Sequence, residues 1–291
     1  MTNKTIIFAH YDKNSIIDDY VIFYLKELHK IADTIIFVSD CNLSNKELSK
    51  LDGITTHNIA KNHGEYDWGS YKYGYKYLYE NNLLESIDEL ILCNDSVYGP
   101  IYPLENYINT LSNSNSDFSG FFKNIFNYYE KEDIAHLQSW FLLLKKQVFN
   151  SSQFKNFILS VKNLNNKKDI VNNYEIGFTT EMSRYFTYDY LYTSLNYDAV
   201  YRSPVKLIKN GFPFCKVIMP TKYNIYGFLK EKNKKLSELI KKHQKRCFKR
   251  NVIENILRTV INIKKITNCK IIKSSNLKLE NDFQRNNYDI I

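Results

Sequence analysis

Glu89-Leu90-Ile91-Leu92-Cys93-Asn94-Asp95-Ser96-Val97-Tyr98-Gly99-Pro100 is the stretch whose reading decides the fold. The acidic pair Asp88 and Glu89 precedes a solid apolar run, Leu90 to Cys93. A polar trio and a Tyr-Gly-Pro stop follow. An unbroken apolar run of this length between turn residues predicts a strand buried on both faces, as in a parallel sheet. Open α/β sheets bind ligands beyond the carboxyl ends of such strands. Asn94, Asp95 and Ser96 are thereby expected in a crevice, where a carboxylate holds a divalent cation or a sugar hydroxyl. The trio has a plainer reading as the cap of a helix begun at Pro100.

Working back from that strand, Thr5-Ile6-Ile7-Phe8-Ala9 predicts a first strand that ends in His10-Tyr11-Asp12. Ser15-x-x-Asp18 resembles a capping box, with Tyr20, Phe23, Tyr24, Leu28 and Ile31 at helical spacing behind it. Thr34-Ile35-Ile36-Phe37-Val38 predicts a second strand, ending in Ser39-Asp40, and Ser44-x-x-Glu47 opens a short helix. His57-Asn58-Ile59-Ala60 is a weaker third strand and leads into Asn62, Gly64 and Asp67. Asp67 is also a candidate cap for a tyrosine-rich helix over residues 70–81. Strand and helix alternating at roughly 25–35 residues indicate a parallel sheet built by right-handed crossovers. The polar residues after four successive strands should therefore gather at one edge of that sheet.

Forward of it, residues 117–121 and 136–144 predict further strands and 147–162 a helix. Residues 174–181 lead into a helix through Tyr185, and from Leu229 onward the helices are basic and amphipathic. Val252, Ile253, Ile256, Leu257, Val260 and Ile261 form an apolar stripe there.

Composition narrows the class. With 44% hydrophobic and 15% aromatic residues against 9 Gly and 5 Pro, the 291-residue chain is globular rather than disordered. Its five cysteines are far apart and form no C-x-x-C pair, so neither a zinc site nor a disulfide framework is suggested. No signal-peptide pattern opens the chain, and no apolar stretch has the roughly 18–20 residues of a membrane span. A cytoplasmic protein is expected. The net charge of +9 is concentrated late: between Lys206 and Lys273 the acids are Glu231, Glu238 and Glu254 alone. That asymmetry points to an anionic partner. Nucleic acid is not expected, because no RNP-like, zinc-finger or helix-turn-helix signature accompanies the charge. Glycine-rich phosphate loops, G-x-S-x-G and H-E-x-x-H are absent, which argues against dinucleotide oxidoreductases, P-loop NTPases and the common hydrolases. Carboxylates, amides and hydroxyls at strand ends suit recognition of a sugar and a nucleotide diphosphate.

Seven blocks in order carry a resemblance: 9–12, 62–69, 94–100, 117–120, 136–141, 174–177 and 211–216. Together they resemble the rhamnan-synthesis F family of bacterial polysaccharide glycosyltransferases, over roughly residues 5–220. The resemblance implies a GT-A-like fold, a Rossmann-type, mostly parallel sheet flanked by helices. It implies a catalytic domain over 1–225, with a nucleotide-sugar half to about 120 and an acceptor half after it. A basic helical extension would then occupy 226–291. It further implies a nucleotide-sugar donor, dTDP-L-rhamnose in the best-known members, a lipid-linked or growing surface glycan as acceptor, and hexosyl transfer with inversion.

In that frame Asn94-Asp95-Ser96 stands where the family's D-x-D metal motif would be, with both outer aspartates replaced. Metal use is therefore open: Asp95 would hold a Mg or Mn ion, or grip donor hydroxyls without one. His10, Tyr11, Asp12, Asp40, Asn62, Gly64, Asp67, Asn94, Ser96 and Lys216 are the expected donor residues, with Lys216 neutralising the departing diphosphate. His136, Gln138 and Trp140 face the acceptor. Asp95, Glu175 and Glu181 are the catalytic candidates, the two glutamates as general base, Glu175 ahead of Glu181. The basic C-terminal helices fit peripheral attachment to an anionic membrane surface. A member of the same fold that binds sugar without catalysis is the alternative.

Overall fold

The apolar runs become strands in register. β1 (Lys4–His10), β2 (Thr34–Ser39), β3 (His57–Ala60) and β4 (Glu89–Asn94) lie in the order β3-β2-β1-β4, each pair parallel. All six residues of β4 are buried, as its two-faced apolar run requires. This is a computed structural model, and it describes residues 2–127, 130–164, 166–193, 199–219 and 226–248. Residues 1–244 form one compact unit; the apolar stripe at 252–261 lies outside the described residues.

Beyond β4 the sheet changes direction. β5 (Val97–Tyr98) leaves it, and β6 (Phe118–Asn124), β7 (His136–Leu137) and β8 (Phe141–Lys145) extend it antiparallel. β9 (Tyr188–Thr193) runs parallel to β6, and β10 (Cys215–Lys216) pairs with β5 in a small second sheet. Among the described residues the main sheet thus has eight strands, in the order β3-β2-β1-β4-β8-β6-β7 with β9 along β6. The mixed α/β class with a parallel half flanked by helices is as expected.

Several local expectations are corrected. The strand expected over 136–144 is broken at Gln138-Ser139-Trp140, because β6 pairs with β8 through Phe118–Gly120 and with β7 only at Lys123 and Asn124. The helix expected over 147–162 is split into Lys146–Phe149 and Ser152–Leu159. Pro100 begins no helix; the next one starts at Glu105. Ser15 forms no capping box, since Asp18 stands at the cap position of the helix Asp19–Leu28. Ser44 does accept the Glu47 N–H at 3.3 Å, but the Glu47 carboxylate reaches out to the Ile17 N–H at 2.7 Å.

Alternating residues of β1 feed two cores. Ile6 and Phe8 face one side, with Tyr24, Phe37, Ile91 and Phe214, whereas Ile7 and Ala9 face the other, with Trp68, Tyr71 and Tyr75. The helix Tyr66–Glu80 lies close on this second side, and a Cβ added at Gly74 would come within 2.4 Å of Ile7 Cγ2. Leu229, Leu236 and Ile240 belong to the first core, so packing continues past residue 225, the expected boundary. His243 Nδ1 lies 2.5 Å from the Tyr98 hydroxyl and its Nε2 3.4 Å from Asp18 Oδ2. No helix of the described residues is long and apolar enough to cross a membrane.

The tight helix–sheet approach gives a direct check. Gly74→Ala should overpack the interface and cost about 1–3 kcal/mol, read as a lower denaturation midpoint with an unchanged slope.

Candidate functional site

Parallel pairing of Ala9 with Asn94 and of Ala9 with Val38 brings the carboxyl ends of β1, β2 and β4 level. Beyond them opens a cavity of about 1240 Å³. Its wall carries His10, Tyr11, Asp40, Asn62, Gly64, Asp67, Asn94, Asp95 and Ser96 from the parallel half. From the later half come His136, Gln138, Trp140, Glu175 and Lys216. Fourteen of the sixteen expected site residues therefore converge on one space.

Asp95 sits at the mouth of β4. Its own N–H donates to the Ala9 carbonyl at 3.2 Å, and its Oδ2 accepts the Tyr11 N–H at 3.1 Å. His10 Nε2 is 3.8 Å from the same oxygen. Burial pushes the Asp95 carboxyl up to about 7; the Tyr11 N–H opposes that rise and the charge of Asp12 adds to it.

Asn94 joins the next groups. Its Oδ1 accepts from the Ser96 N–H at 3.1 Å and the Ser96 hydroxyl at 2.6 Å, while its Nδ2 donates to Asp67 Oδ2 at 2.9 Å. Lys216, paired with Val97 through β10, donates from Nζ to Ser96 Oγ at 3.0 Å. That ammonium lies 5.4 Å from the Trp140 ring centroid and 5.9 Å from that of Tyr201. A row Lys216–Ser96–Asn94–Asp67 results, cationic at one end and anionic at the other. It continues through Ser139, whose Oγ lies 3.3 Å from Asp67 Oδ2 and 3.0 Å from Glu175 Oε2. Glu175 sits in a π-helical turn, Val171–Ile176, with its Oε1 3.9 Å from His136 Nε2. Such turns recur at functional sites. Gln138 accepts the Trp140 indole N–H at 2.5 Å and so fixes the ring that faces Lys216.

Asp40 lines the cavity but is committed to its loop: its Oδ1 accepts the His63 N–H at 2.7 Å and the Gly64 N–H at 2.8 Å. Gly64 has φ +69°, the left-handed region open to glycine.

Two candidates fall elsewhere. Asp12 is not on the cavity wall; it accepts the Asn14 N–H at 2.8 Å, and its charge acts on Asp95. Glu181 lies on the helix Gly177–Met182 with its carboxylate 2.9 Å from Arg184, turned toward solvent and off the cavity wall. Asp67 is not the expected helix cap, since Glu65 holds that position.

Ser139, Tyr66 and Tyr201 line the cavity without having been singled out from sequence. Ser139 and Tyr66 lie inside blocks already quoted, whereas Tyr201 lies outside all seven. The strand expected over 136–144 hid Ser139, and nothing in the sequence announces the φ of +58° at Tyr66.

Among the described residues no group of three or more His, Cys, Asp or Glu converges as a metal cage. Asp95 is committed through Oδ2 to the Tyr11 N–H, and an ammonium rather than a carboxylate serves Ser96. Within the polar trio Asp95 alone offers a carboxylate to an ion.

A family model described as rhamnan synthesis protein F matches residues 35–285, most of the chain. The chain belongs to that family. In this rhamnan synthesis protein F member the matched span includes every cavity residue from β2 onward and runs on through the basic region. No curated protein matches it in sequence. Among solved structures it is similar to core-mannan synthase A of Aspergillus fumigatus in its Mn/GDP form. The identity is 10%, over 65% of this chain and 73% of that one, with a TM-score of 0.39. It is also similar to a 4-diphosphocytidyl-2C-methyl-D-erythritol synthase of Anaerococcus prevotii, at 10% identity over 67% and 90% with a TM-score of 0.41. A glycosyltransferase involved in glycosylation of the major capsid of PBCV-1 gives 10% identity over 75% and 93%, with a TM-score of 0.39. Similarity of this extent bears on neither substrate nor mechanism.

The raised Asp95 carboxyl has a stability consequence. A carboxyl that binds its proton more tightly folded than unfolded loses stability as pH rises from its unfolded value toward about 7. Asp95→Asn removes that loss and should stabilise the free protein at pH 8, by up to about 4 kcal/mol for a rise of this size, with no gain at pH 4. Thermal melts at the two pH values provide the comparison.

Proposed function

We propose that this chain is a glycosyltransferase, moving a hexosyl group from a nucleotide diphosphate donor onto a growing surface glycan. The observation that carries the reading is the polar row, with a lysine at one end and a glutamate at the other along the wall of a single cavity. Transfer to a hydroxyl needs those two chemistries on opposite sides of the sugar carbon: a base for the incoming oxygen and a cation for the departing phosphate. At about 1240 Å³ the cavity also exceeds the roughly 300–1,000 Å³ of single-ligand pockets, which suits two substrates.

The roles follow from position. His10, Tyr11, Asn62 and Gly64 frame the nucleotide at the ends of β1 and β3. Asp95, Asn94 and Asp67 take donor hydroxyls. Glu175, beside His136, takes the proton of the acceptor hydroxyl as that oxygen attacks the anomeric carbon. The bond from that carbon to the diphosphate breaks, and Lys216 meets the leaving charge. Attack from the side opposite the leaving group inverts the centre. Tyr66, 49% exposed, and Tyr201, 41% exposed, offer ring faces to an acceptor sugar. No step is routed through a metal ion. The family makes a dTDP-linked L-rhamnose the first donor to test.

Residues 226–244 turn Lys230, Lys232, Lys234, Lys235, Lys241 and Lys242 outward while burying Leu229, Leu236 and Ile240. Near an anionic membrane each such lysine is worth about 1 kcal/mol, so this face suits an enzyme held on the inner surface of the membrane beside a lipid-linked acceptor.

Transfer assays with a panel of nucleotide sugars test the reading. Lys216→Ala should lower kcat by about 10²–10³-fold and Glu175→Gln by about 10²–10⁴-fold, with donor affinity changed far less. A chelator should cost less activity than Lys216→Ala. Tyr66→Ala should raise the acceptor KM and leave the donor KM unchanged. Full activity in both the Lys216 and Glu175 variants rejects the assignment, and failure of the wild type to bind any donor favours the non-catalytic sugar-binding alternative.

A further inference from the structure

The bridge at Ser139 holds a constraint that the row alone does not express. A serine hydroxyl has one hydrogen, yet Ser139 Oγ stands between two carboxylates, at 3.0 Å from Glu175 Oε2 and 3.3 Å from Asp67 Oδ2. It serves one of them at a time. Asp67 also accepts from Asn94 Nδ2 at 2.9 Å and from the Trp68 N–H at 3.1 Å. The shorter contact goes to Glu175.

Ser139 is itself held in place. Its carbonyl accepts the Tyr71 hydroxyl at 2.9 Å, and Tyr71 is fully buried on the same helix that carries Asp67. The next carbonyl, of Trp140, accepts the Asn94 N–H at 3.3 Å. The hydroxyl can rotate while its oxygen stays put.

On the transferase reading above, we infer that Ser139 is a positioning residue whose hydroxyl donates to Glu175 before transfer and turns to Asp67 once Glu175 has taken the acceptor's proton. In that step the acceptor hydroxyl proton moves to Glu175 and the new bond forms to the anomeric carbon. The Ser139 hydrogen changes partner without leaving its oxygen. The Glu175 anion thus keeps this hydroxyl donor until it is neutralised, and Asp67 gains it afterwards.

Other charged groups also bear on this pair. His136 faces Glu175 at 3.9 Å, and Lys167 lines the same cavity. Burial raises the Asp67 carboxyl against the pull of Lys216, while Asp67 in turn acts on Asp95 and Tyr71.

The test is the pH dependence of kcat/KM for the acceptor in the full-length protein, whose acid limb reports the free enzyme's base. Ser139→Ala withdraws a donor from the Glu175 anion and should move the limb up by about one pH unit, with kcat reduced about tenfold and donor affinity by calorimetry unchanged. Ser139→Thr, which keeps the hydroxyl, should restore the limb. Asp67→Asn removes a like charge and should move the limb down. Opposite shifts support the inference; unmoved limbs, or shifts in the same direction, overturn it, because a purely structural loss scales the rate at every pH alike. If Ser139→Ala does not fold, the direction of the Asp67→Asn shift decides. Wild type that transfers sugar with unmoved limbs in the variants removes Ser139 alone; wild type with neither donor binding nor transfer removes the functional reading and this step with it.

Discussion

Ala9 pairs with Asn94 across β1 and β4, and the chemistry of the cavity depends on that register. It puts the Asp95 N–H on the Ala9 carbonyl and the Asp95 carboxylate under the Tyr11 N–H. A slip of one residue would send the polar trio to the opposite face. The register is secured by burial: Ile6, Ile7, Phe8, Leu90, Ile91 and Leu92 are wholly out of water. The apolar half of the stretch thus does the aiming for its polar half.

That arrangement concentrates like charge. Burial and the charge of Asp12 both hold the Asp95 carboxyl high, and Asp67 adds to them. A fold tolerates such a cluster where something supplies positive charge, and here Lys216 arrives from a distant part of the chain. The cavity is consequently a place of stored electrostatic cost, relieved by whatever cation or hydroxyl donor enters it. Such a trade is common where binding rather than stability has shaped the residues.

The parallel half was legible because its signals are local. Apolar runs at 5–9, 34–38 and 90–93 need no partner to be read as strands, and parallel order follows from their spacing. The convergence of His10, Asn62, Asp67 and Asp95 was legible for the same reason. The later half was not, because its determinants are long-range. β9 pairs with β6 across some seventy residues and β10 with β5 across more than a hundred. Ser139 was hidden inside an apolar run that the sheet breaks for reasons of pairing alone. Asp12 and Glu181 lie off the cavity wall: a loop carboxylate accepts from its own turn and a helical one meets its neighbour on the surface.

The position of Lys216 bears on how the protein comes into being. A chain made from its amino end can pair β1 with β2 and then with β4 early, when fewer than a hundred residues have emerged. Glu175 and Lys216 follow only much later, and His243, which rests on Tyr98 behind the β5–β10 pair, comes last of all. A polypeptide that stops before residue 175 therefore lacks both Glu175 and Lys216 from the cavity wall. Both ends of the polar row, Glu175 and Lys216, are thus supplied by the later part of the compact unit, long after the strand that aims Asp95.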